Sequence, residues 1–151
     1  MFLAFLIVLG LLFVGSANSF AASNKQNAQE VRGPVTATVV RVIDGDTVIV
    51  DALTWPGHSV RVSVRLLGID APEIRSRCAA VREAGYRARA RLSALVGEAG
   101  TVQLKDIRGG KYYGRVLAAI ITENRDVSSV LLADGLVQPY SGGKRYKPSC
   151  Q

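Results

Sequence analysis

The stretch VTATVVRVIDGDTVIVD, residues 35 to 51, contains two runs rich in valine and threonine with Asp-Gly-Asp between them. β-Branched residues favour strands, and Asp-Gly most readily provides the positive φ angles of a tight hairpin turn. We therefore predict a strand over residues 35 to 43 and a returning strand over residues 47 to 51. Residues 23 to 33 are polar and lack periodicity, so they are predicted to be a flexible lead-in, with folding from about Pro34.

Five further elements are predicted after this hairpin. Residues 60 to 66 alternate valine or leucine with arginine or serine, the period of a half-buried strand that turns Arg65 away from the valine layer. The spacing becomes helical over residues 77 to 96, and Gly97 and Gly100 end that helix. Two strands are predicted over residues 101 to 105 and 115 to 122, with a glycine-rich basic turn over residues 108 to 111 between them. A short helix is predicted over residues 127 to 133.

The order of three strands, a helix, two strands and a helix indicates an α+β domain. Five short strands with a helix after the third fit a small closed β-barrel of the oligonucleotide-binding (OB) type with added helices. A chain of 151 residues, of which 48% are hydrophobic, is long enough for one such core and too short for two comfortable ones. The predicted barrel domain covers residues 34 to 151.

The N-terminus has the composition of an export signal. The first 24 residues carry no side-chain charge, and an apolar run over residues 2 to 14 is followed by small residues. This pattern predicts a secretory signal peptide over residues 1 to 22 and a secreted or periplasmic protein without stable membrane association after cleavage. The run is shorter than the roughly 20 residues of a spanning helix. An uncleaved anchor is the less favoured alternative, open because no Lys or Arg precedes the run.

Charge and cysteine content suggest two further properties. The net charge of +7 lies entirely after the apolar segment, so the surface should attract polyanions, although a charge that only favours solubility is the alternative. In an exported chain, an even number of cysteines favours a disulfide. A Cys78 to Cys150 bond would tie the C-terminal tail to the middle of the domain; two free, partly buried thiols are the alternative.

Charged residues occur at several predicted strand ends and turns. Asp46 and Asp70 are hard oxygen donors that could share one divalent cation, and oxygen ligands suit calcium or magnesium better than zinc. The only histidine, His58, is predicted to be an ordinary surface residue, and Asp44 is assigned to the turn. The hypothesis from these carboxylates is a site for one hard cation.

The basic and acidic groups that remain suit phosphate chemistry. Arg65 and Arg115 can each present a planar fork to phosphate oxygens. Glu73 could accept a proton from an attacking water or orient that water. Each signal alone has a simpler interpretation, because Asp-Gly is often only a turn, Asp-x-Pro-Glu a helix cap and Tyr-Gly-Arg a strand start.

Taken together and in order, the motifs VIDGDTV, RLLGIDAPE, YGR and LLADGLV closely resemble the staphylococcal nuclease (thermonuclease) family across residues 35 to 140. The resemblance implies an OB-type barrel and a calcium-dependent phosphodiesterase that cuts DNA and RNA with little sequence specificity. We also expect the protein to be a monomer. The resemblance also implies roles for individual residues. These are calcium carboxylates at Asp46 and Asp70, a backbone carbonyl ligand at Ala71, catalytic groups at Arg65, Arg115 and Glu73, and a phosphate-holding tyrosine at Tyr113.

Two positions depart from the family pattern. Ala71 replaces a threonine whose hydroxyl lies near the metal. Ser141 falls where the family has a base-stacking tyrosine, and Tyr140, one residue earlier, is the weaker candidate for that role. A catalytically inactive nucleic-acid-binding barrel and an accessory protein acting on another polyanion are the alternative functions.

Overall fold

The seven predicted strands and helices occur in the predicted order, and four two-residue strands are added to them in the part of the chain that the structure describes. A computed structural model describes residues 30 to 97, 100 to 123, 125 to 145 and 150, so the predicted signal peptide lies outside the described residues. The strands are β1 (Glu30–Val31), β2 (Val35–Asp44), β3 (Thr47–Trp55), β4 (His58–Leu66), β5 (Ile69–Asp70), β6 (Thr101–Gly109), β7 (Arg115–Thr122), β8 (Arg125–Asp126) and β9 (Gln138–Pro139). The helices are α1 (Ala79–Val96) and α2 (Val127–Ala133).

Five of these strands close a barrel. β2 pairs antiparallel with β3 and with β6, and β3 pairs antiparallel with β4. β7 runs parallel to β4 and antiparallel to β6, which completes the ring. Because each of the five strands has two neighbours, the ring leaves no free edge along its length. The predicted five-stranded OB-type barrel with added helices is confirmed.

The core consists of apolar side chains of the strands that point into the barrel and of apolar side chains from one side of each helix. Val48, Val50 and Val64 have no exposed surface. From α1, Ala88 and Leu92 are equally buried and belong to the same cluster. Full burial of an aliphatic side chain contributes about 1.5 to 3 kcal/mol, so this packing holds α1 firmly against the strands.

Gly45, in the first hairpin, is required by space and not by a left-handed φ. The sequence predicts a positive φ there, but Gly45 is not among the residues that adopt one. A Cβ on Gly45 would instead lie 2.7 Å from the Cβ atoms of both Ala71 and Ala88. The hairpin turn, the segment after β5 and the middle of α1 are therefore in direct contact, which fixes Asp46 relative to Asp70.

The strands extend beyond the predicted bounds in several places. β3 continues to Trp55 and β4 begins at His58, so only a two-residue turn separates them. Glu30 and Val31 pair with Arg108 and Ile107, so pairing begins before Pro34, inside the predicted lead-in. The predicted turn over residues 108 to 111 is wrong in its first half, because β6 continues through Arg108 and Gly109 alongside β7. The predicted boundaries miss this pairing because its hydrogen-bond partners are distant in sequence.

The predicted disulfide is confirmed. Cys78 lies at the N-cap of α1 and is bonded to Cys150, with 5.5 Å between their Cα atoms. The bond ties the tail after β9 to the helix that packs under the first hairpin. No helix of the described residues is long and apolar enough to cross a membrane.

Candidate active site

Arg65, on β4, joins the two carboxylates that the sequence singled out. Its Nη1 atom donates to Asp46 Oδ1 at 2.7 Å and its Nη2 atom donates to Asp70 Oδ1 at 2.6 Å. The planar guanidinium fits this arrangement because its donors have a fixed fork geometry. Arg65 does point away from the valine layer, but it is only 8% exposed. The alternating pattern of β4 therefore predicts the direction of the side chain and not its burial.

Asp46 lies in the hairpin turn and is held from three sides. Oδ1 also accepts a hydrogen bond from the Thr47 hydroxyl at 2.9 Å, and Oδ2 accepts one from the Ala71 backbone N–H at 2.8 Å. Burial raises the pKa of Asp46 to about 6, against the opposing effect of Arg65, and the nearby charge of Asp44 adds to the rise. An anion kept in so unfavourable an environment is typical of a functional site.

Asp44 has the turn role that its pattern predicts. Its Oδ1 accepts the backbone N–H of Asp46 at 3.1 Å, which closes the turn locally. His58 is exposed, with Nδ1 3.2 Å from the Pro56 carbonyl oxygen, in keeping with an ordinary surface residue.

Asp70 receives a second cation from the C-terminal tail. Arg145 Nε lies 3.3 Å from the same Oδ1 atom that Arg65 contacts. Asp70 Oδ2, in contrast, accepts no hydrogen bond from any described residue. One carboxylate oxygen of Asp70 thus stays available to a further ligand.

Arg115, at the start of β7, approaches the cluster through Thr47. Its Nη2 atom lies 3.4 Å from Thr47 Oγ1, which in turn donates to Asp46. Its Nε atom is buried and has no hydrogen-bond partner in the described part of the chain. A buried donor without a partner is costly in a folded protein, so Arg115 is poised to donate to a ligand that supplies an acceptor.

Two predicted site residues lie outside this cluster. Glu73 is exposed, and its Oε1 accepts the backbone N–H of Arg75 at 3.0 Å. Tyr113 is fully exposed in the turn before β7. Both side chains lie on the surface, Glu73 after β5 and Tyr113 before β7. Within the described part of the chain, neither forms a hydrogen bond or ion pair with Arg65 or Asp46.

Tyr140 lies beside Arg65, although one residue out of register with the family's tyrosine. The Arg65 Cζ atom is 6.0 Å from the centre of its ring, and its hydroxyl donates to the Gly143 carbonyl at 2.8 Å. The backbone of Tyr140 donates to Gly68 at 2.8 Å, which continues the β5 to β9 pairing. Next to it, a cleft of about 640 Å³ is lined by Arg65, Leu66, Arg108, Leu117 and Tyr140.

The donor set fits one hard cation. The described residues contain no group of three or more His, Cys, Asp and Glu side chains that could hold a metal, so two carboxylates and backbone or water oxygens are the ligands to consider. Asp46 and Asp70 converge on one guanidinium, and the desolvated Asp46 would be stabilised by a nearby positive charge. Oxygen donors of this kind suit calcium. The carbonyl of Ala71 stays a predicted ligand; the contact seen for Ala71 is through its N–H.

The sequence interpretation missed two residues that the fold brings into the cluster. Thr47 connects Asp46 with Arg115, and its place directly after Asp46 in the motif was the available signal. Arg145 reaches Asp70 from a glycine-rich tail that carries no periodic pattern, so no local signal pointed to it.

Comparison with known proteins identifies the same region of the chain. A family model described as "Staphylococcal nuclease homologue" matches residues 63–149, which include Arg65, Asp70, Glu73 and Arg115. A thermonuclease from Staphylococcus hyicus is 37% identical over 70 residues, covering 46% of this chain and 36% of the relative. The matched region thus spans about a third of that curated protein. Asp46 precedes the region matched by the family model, so its predicted role as a metal ligand rests on its contacts and on the sequence motif.

Proposed function

Because the chain belongs to the staphylococcal nuclease family, we propose that it is an exported, calcium-dependent nuclease that hydrolyses phosphodiester bonds of DNA and RNA with little sequence specificity. The observation that carries this proposal is the buried cluster in which Arg65 joins Asp46 and Asp70. Buried ion pairs of this kind contribute little to stability, because the loss of hydration offsets their attraction. A role in binding a charged substrate is the better explanation.

The two arginines would bind the phosphate that is cleaved. A phosphodiester under attack by water gathers negative charge on its non-bridging oxygens, and fixed cations in a site with little water stabilise that charge strongly. Arg65 is pre-positioned by its two carboxylate partners, and Arg115 has a buried Nε–H without a partner in the described residues.

Glu73 would act on water. Its exposed carboxylate lies three residues after Asp70, beyond the rigid Pro72, and only a backbone N–H engages it among the described residues. It can accept a proton from an attacking water or orient that water by a hydrogen bond.

Asp46, Asp70 and the Ala71 carbonyl would hold the calcium ion. When bound, the ion neutralises the carboxylates and stabilises negative charge on a phosphate oxygen. The chain's own contribution is to keep Asp46 desolvated and close to Asp70, through the contact of Gly45 with Ala71 and Ala88.

The cleft beside Arg65 supports binding of a nucleotide without base selection. Leu66 and Leu117 offer it apolar surface, and Tyr140 offers an aromatic ring. Tyr113, exposed before β7, is proposed to contact the terminal phosphate. Contacts to phosphate and sugar carry no sequence information directly, and aromatic stacking tolerates every base.

The disulfide and the predicted signal peptide both support the proposal that the protein is exported. The disulfide between Cys78 and Cys150 suits an oxidising compartment. It agrees with a signal peptide over residues 1 to 22, and with a secreted or periplasmic monomer that leaves the membrane after cleavage.

We expect purified mature protein to cleave both denatured DNA and RNA in calcium, and a chelator to abolish the activity. The physical reason is that a bound cation stabilises the negative charge that develops on the phosphate oxygens during cleavage, while Arg65 is already paired with Asp46 and Asp70. Gel assays with calcium, magnesium and chelator, on matched DNA and RNA strands, measure this directly. Tight binding of both polymers without cleavage in any metal would favour the non-catalytic binding module instead.

Glu73→Gln is expected to lower kcat by about 100- to 10,000-fold, the usual contribution of a general acid or base. KM should change little, because the amide keeps the shape and removes only the charge. Glu83→Gln is the matched control, since Glu83 is an exposed glutamate on α1 outside the cluster. Steady-state kinetics in saturating calcium would contradict this role if both variants kept wild-type kcat.

A further inference from the structure

One side of α1 carries two arginines with a tyrosine between them. Arg82, Tyr86 and Arg89 occur at positions i, i+4 and i+7, which share one side of an α-helix; we call them the RYR stripe. Tyr86 is 48% exposed, so one part of its ring is accessible to a ligand. Arg89 is exposed, and Arg82 is partly buried. None of these residues belongs to the cluster around Arg65.

The RYR stripe adjoins the segment that carries Glu73. Gly85, inside the stretch of helix that the stripe spans, is so close to this segment that a Cβ would lie 2.7 Å from the Pro72 carbonyl oxygen. At the near end, Arg82 Nη1 donates to the Ser76 carbonyl at 2.9 Å, and Ser76 donates its N–H to the Glu73 carbonyl at 3.1 Å. The stripe thus starts at this segment and continues along α1 for about 10 Å.

The charge of the stripe is available to a ligand. Two other arginines of α1 have carboxylate partners, since Arg87 lies 3.9 Å from Glu83 and Arg91 lies 2.7 Å from Asp134. Arg82 and Arg89 form no ion pair with any described residue. A tyrosine between two such cations on a basic protein is complementary to a polyanion that also carries flat rings.

We propose that the RYR stripe binds nucleotides of a single-stranded polynucleotide that flank the cleaved bond, and the proposal rests on the nuclease function given above. Arg82 and Arg89 contact backbone phosphates, and a base stacks on Tyr86. Combining cationic and aromatic groups along a strand is how proteins bind single strands without sequence preference. The stripe makes long single strands better ligands than short ones.

Binding of a fluorescein-labelled 20-nucleotide oligothymidylate, measured by fluorescence anisotropy in chelator, tests the stripe without cleavage. We expect Tyr86→Ala to weaken binding by about 5- to 100-fold, as removal of one stacking platform does. Arg89→Ala should weaken it several-fold and lower the slope of log affinity against log salt by about 0.7, the contribution of one phosphate contact on a single strand.

Arg87→Ala is the matched control. It removes the same charge from the same helix, but from a position that does not share the side of the stripe. Its effect on binding and on the salt slope should be much smaller than that of Arg89→Ala. Equal effects of the two variants would show that only net charge matters and would overturn the inference.

Inorganic polyphosphate separates nucleotide binding from general attraction of anions. Used as a competitor, it should bind wild type and Tyr86→Ala with equal affinity, because it has no base to stack. Each competition constant is calculated with that protein's own affinity for the oligonucleotide. If Tyr86→Ala loses as much affinity for polyphosphate as for oligothymidylate, Tyr86 is not a stacking platform and the inference is wrong.

The two proposals can fail separately. Hydrolysis of a chromogenic thymidine phosphodiester, which has no flanking nucleotides to contact the stripe, should be equal in wild type, Tyr86→Ala and Arg89→Ala. A wild type that cleaves this substrate while Arg89→Ala and Arg87→Ala bind the oligonucleotide equally would overturn the stripe alone. A wild type that cleaves nothing in calcium, with the predicted binding differences present, would overturn the nuclease function alone.

Discussion

Arg65→Lys is expected to lower kcat/KM for denatured DNA in calcium by about 100- to 1000-fold, the usual cost of losing one donor to developing charge. Lysine keeps the positive charge but cannot present two parallel N–H groups. Its single nitrogen therefore cannot reproduce the contacts that two separate nitrogens of Arg65 make with Asp46 Oδ1 and Asp70 Oδ1, at 2.7 and 2.6 Å. Steady-state kinetics on denatured DNA would measure the loss, with thermal unfolding to confirm that the variant folds.

Arg61→Lys provides the control on the same strand. Arg61 also makes a two-point contact with a carboxylate, to Asp51 at 2.8 Å for both bonds, but its side chain is 65% exposed. Exposed ion pairs are screened by water and contribute little, so activity should stay within about twofold of wild type. If Arg65→Lys kept more than a tenth of the wild-type kcat/KM, the arginine fork would not be the catalytic feature.

Removing the disulfide is expected to have the largest effect on stability. In the chain-entropy model, a cross-link between residues 72 positions apart contributes about 4 kcal/mol to the free energy of unfolding. The variant carrying both Cys78→Ala and Cys150→Ala should therefore unfold at a clearly lower urea concentration than wild type. Urea titration followed by circular dichroism gives the difference in unfolding free energy.

Reduced wild type is the internal control for this variant. With dithiothreitol, wild type should unfold at the same urea concentration as the double variant, because both lack the covalent link. We also expect KM to rise more than kcat falls in the variant, since Tyr140 and Arg145, which lie beside Arg65 and Asp70, precede Cys150 in the tail. Identical urea midpoints for oxidised and reduced wild type would mean that the bond does not stabilise the native state.

Local patterns predicted the five barrel strands and both helices, but not the four two-residue strands. The bounds predicted for β7 and α2 agree with the structure. For α2 the reason is visible, because Asp126 accepts the N–H groups of Ser128 and Ser129 and so starts the helix. Such signals act within a few residues and can be read along the chain.

Contacts between distant residues escaped the local patterns. The pairing of Glu30 with Arg108 extends the sheet at both positions, and neither segment has a pattern that requires it. The role of Gly45 was missed for the same reason. A glycine that provides a turn conformation and a glycine whose Cβ would clash with Ala88 look identical in the sequence.

The sequence by itself determined the order of the strands and helices, the barrel class and the chemical groups offered for a site, because periodicity, turn residues and motifs are local properties. Only the tertiary structure decided that Arg65 is buried between Asp46 and Asp70, and that Thr47 links this cluster to Arg115. It also decided that the tail reaches Asp70 through Arg145. Burial and charge pairing depend on which surfaces meet when the barrel closes, and those surfaces come from segments far apart in the chain.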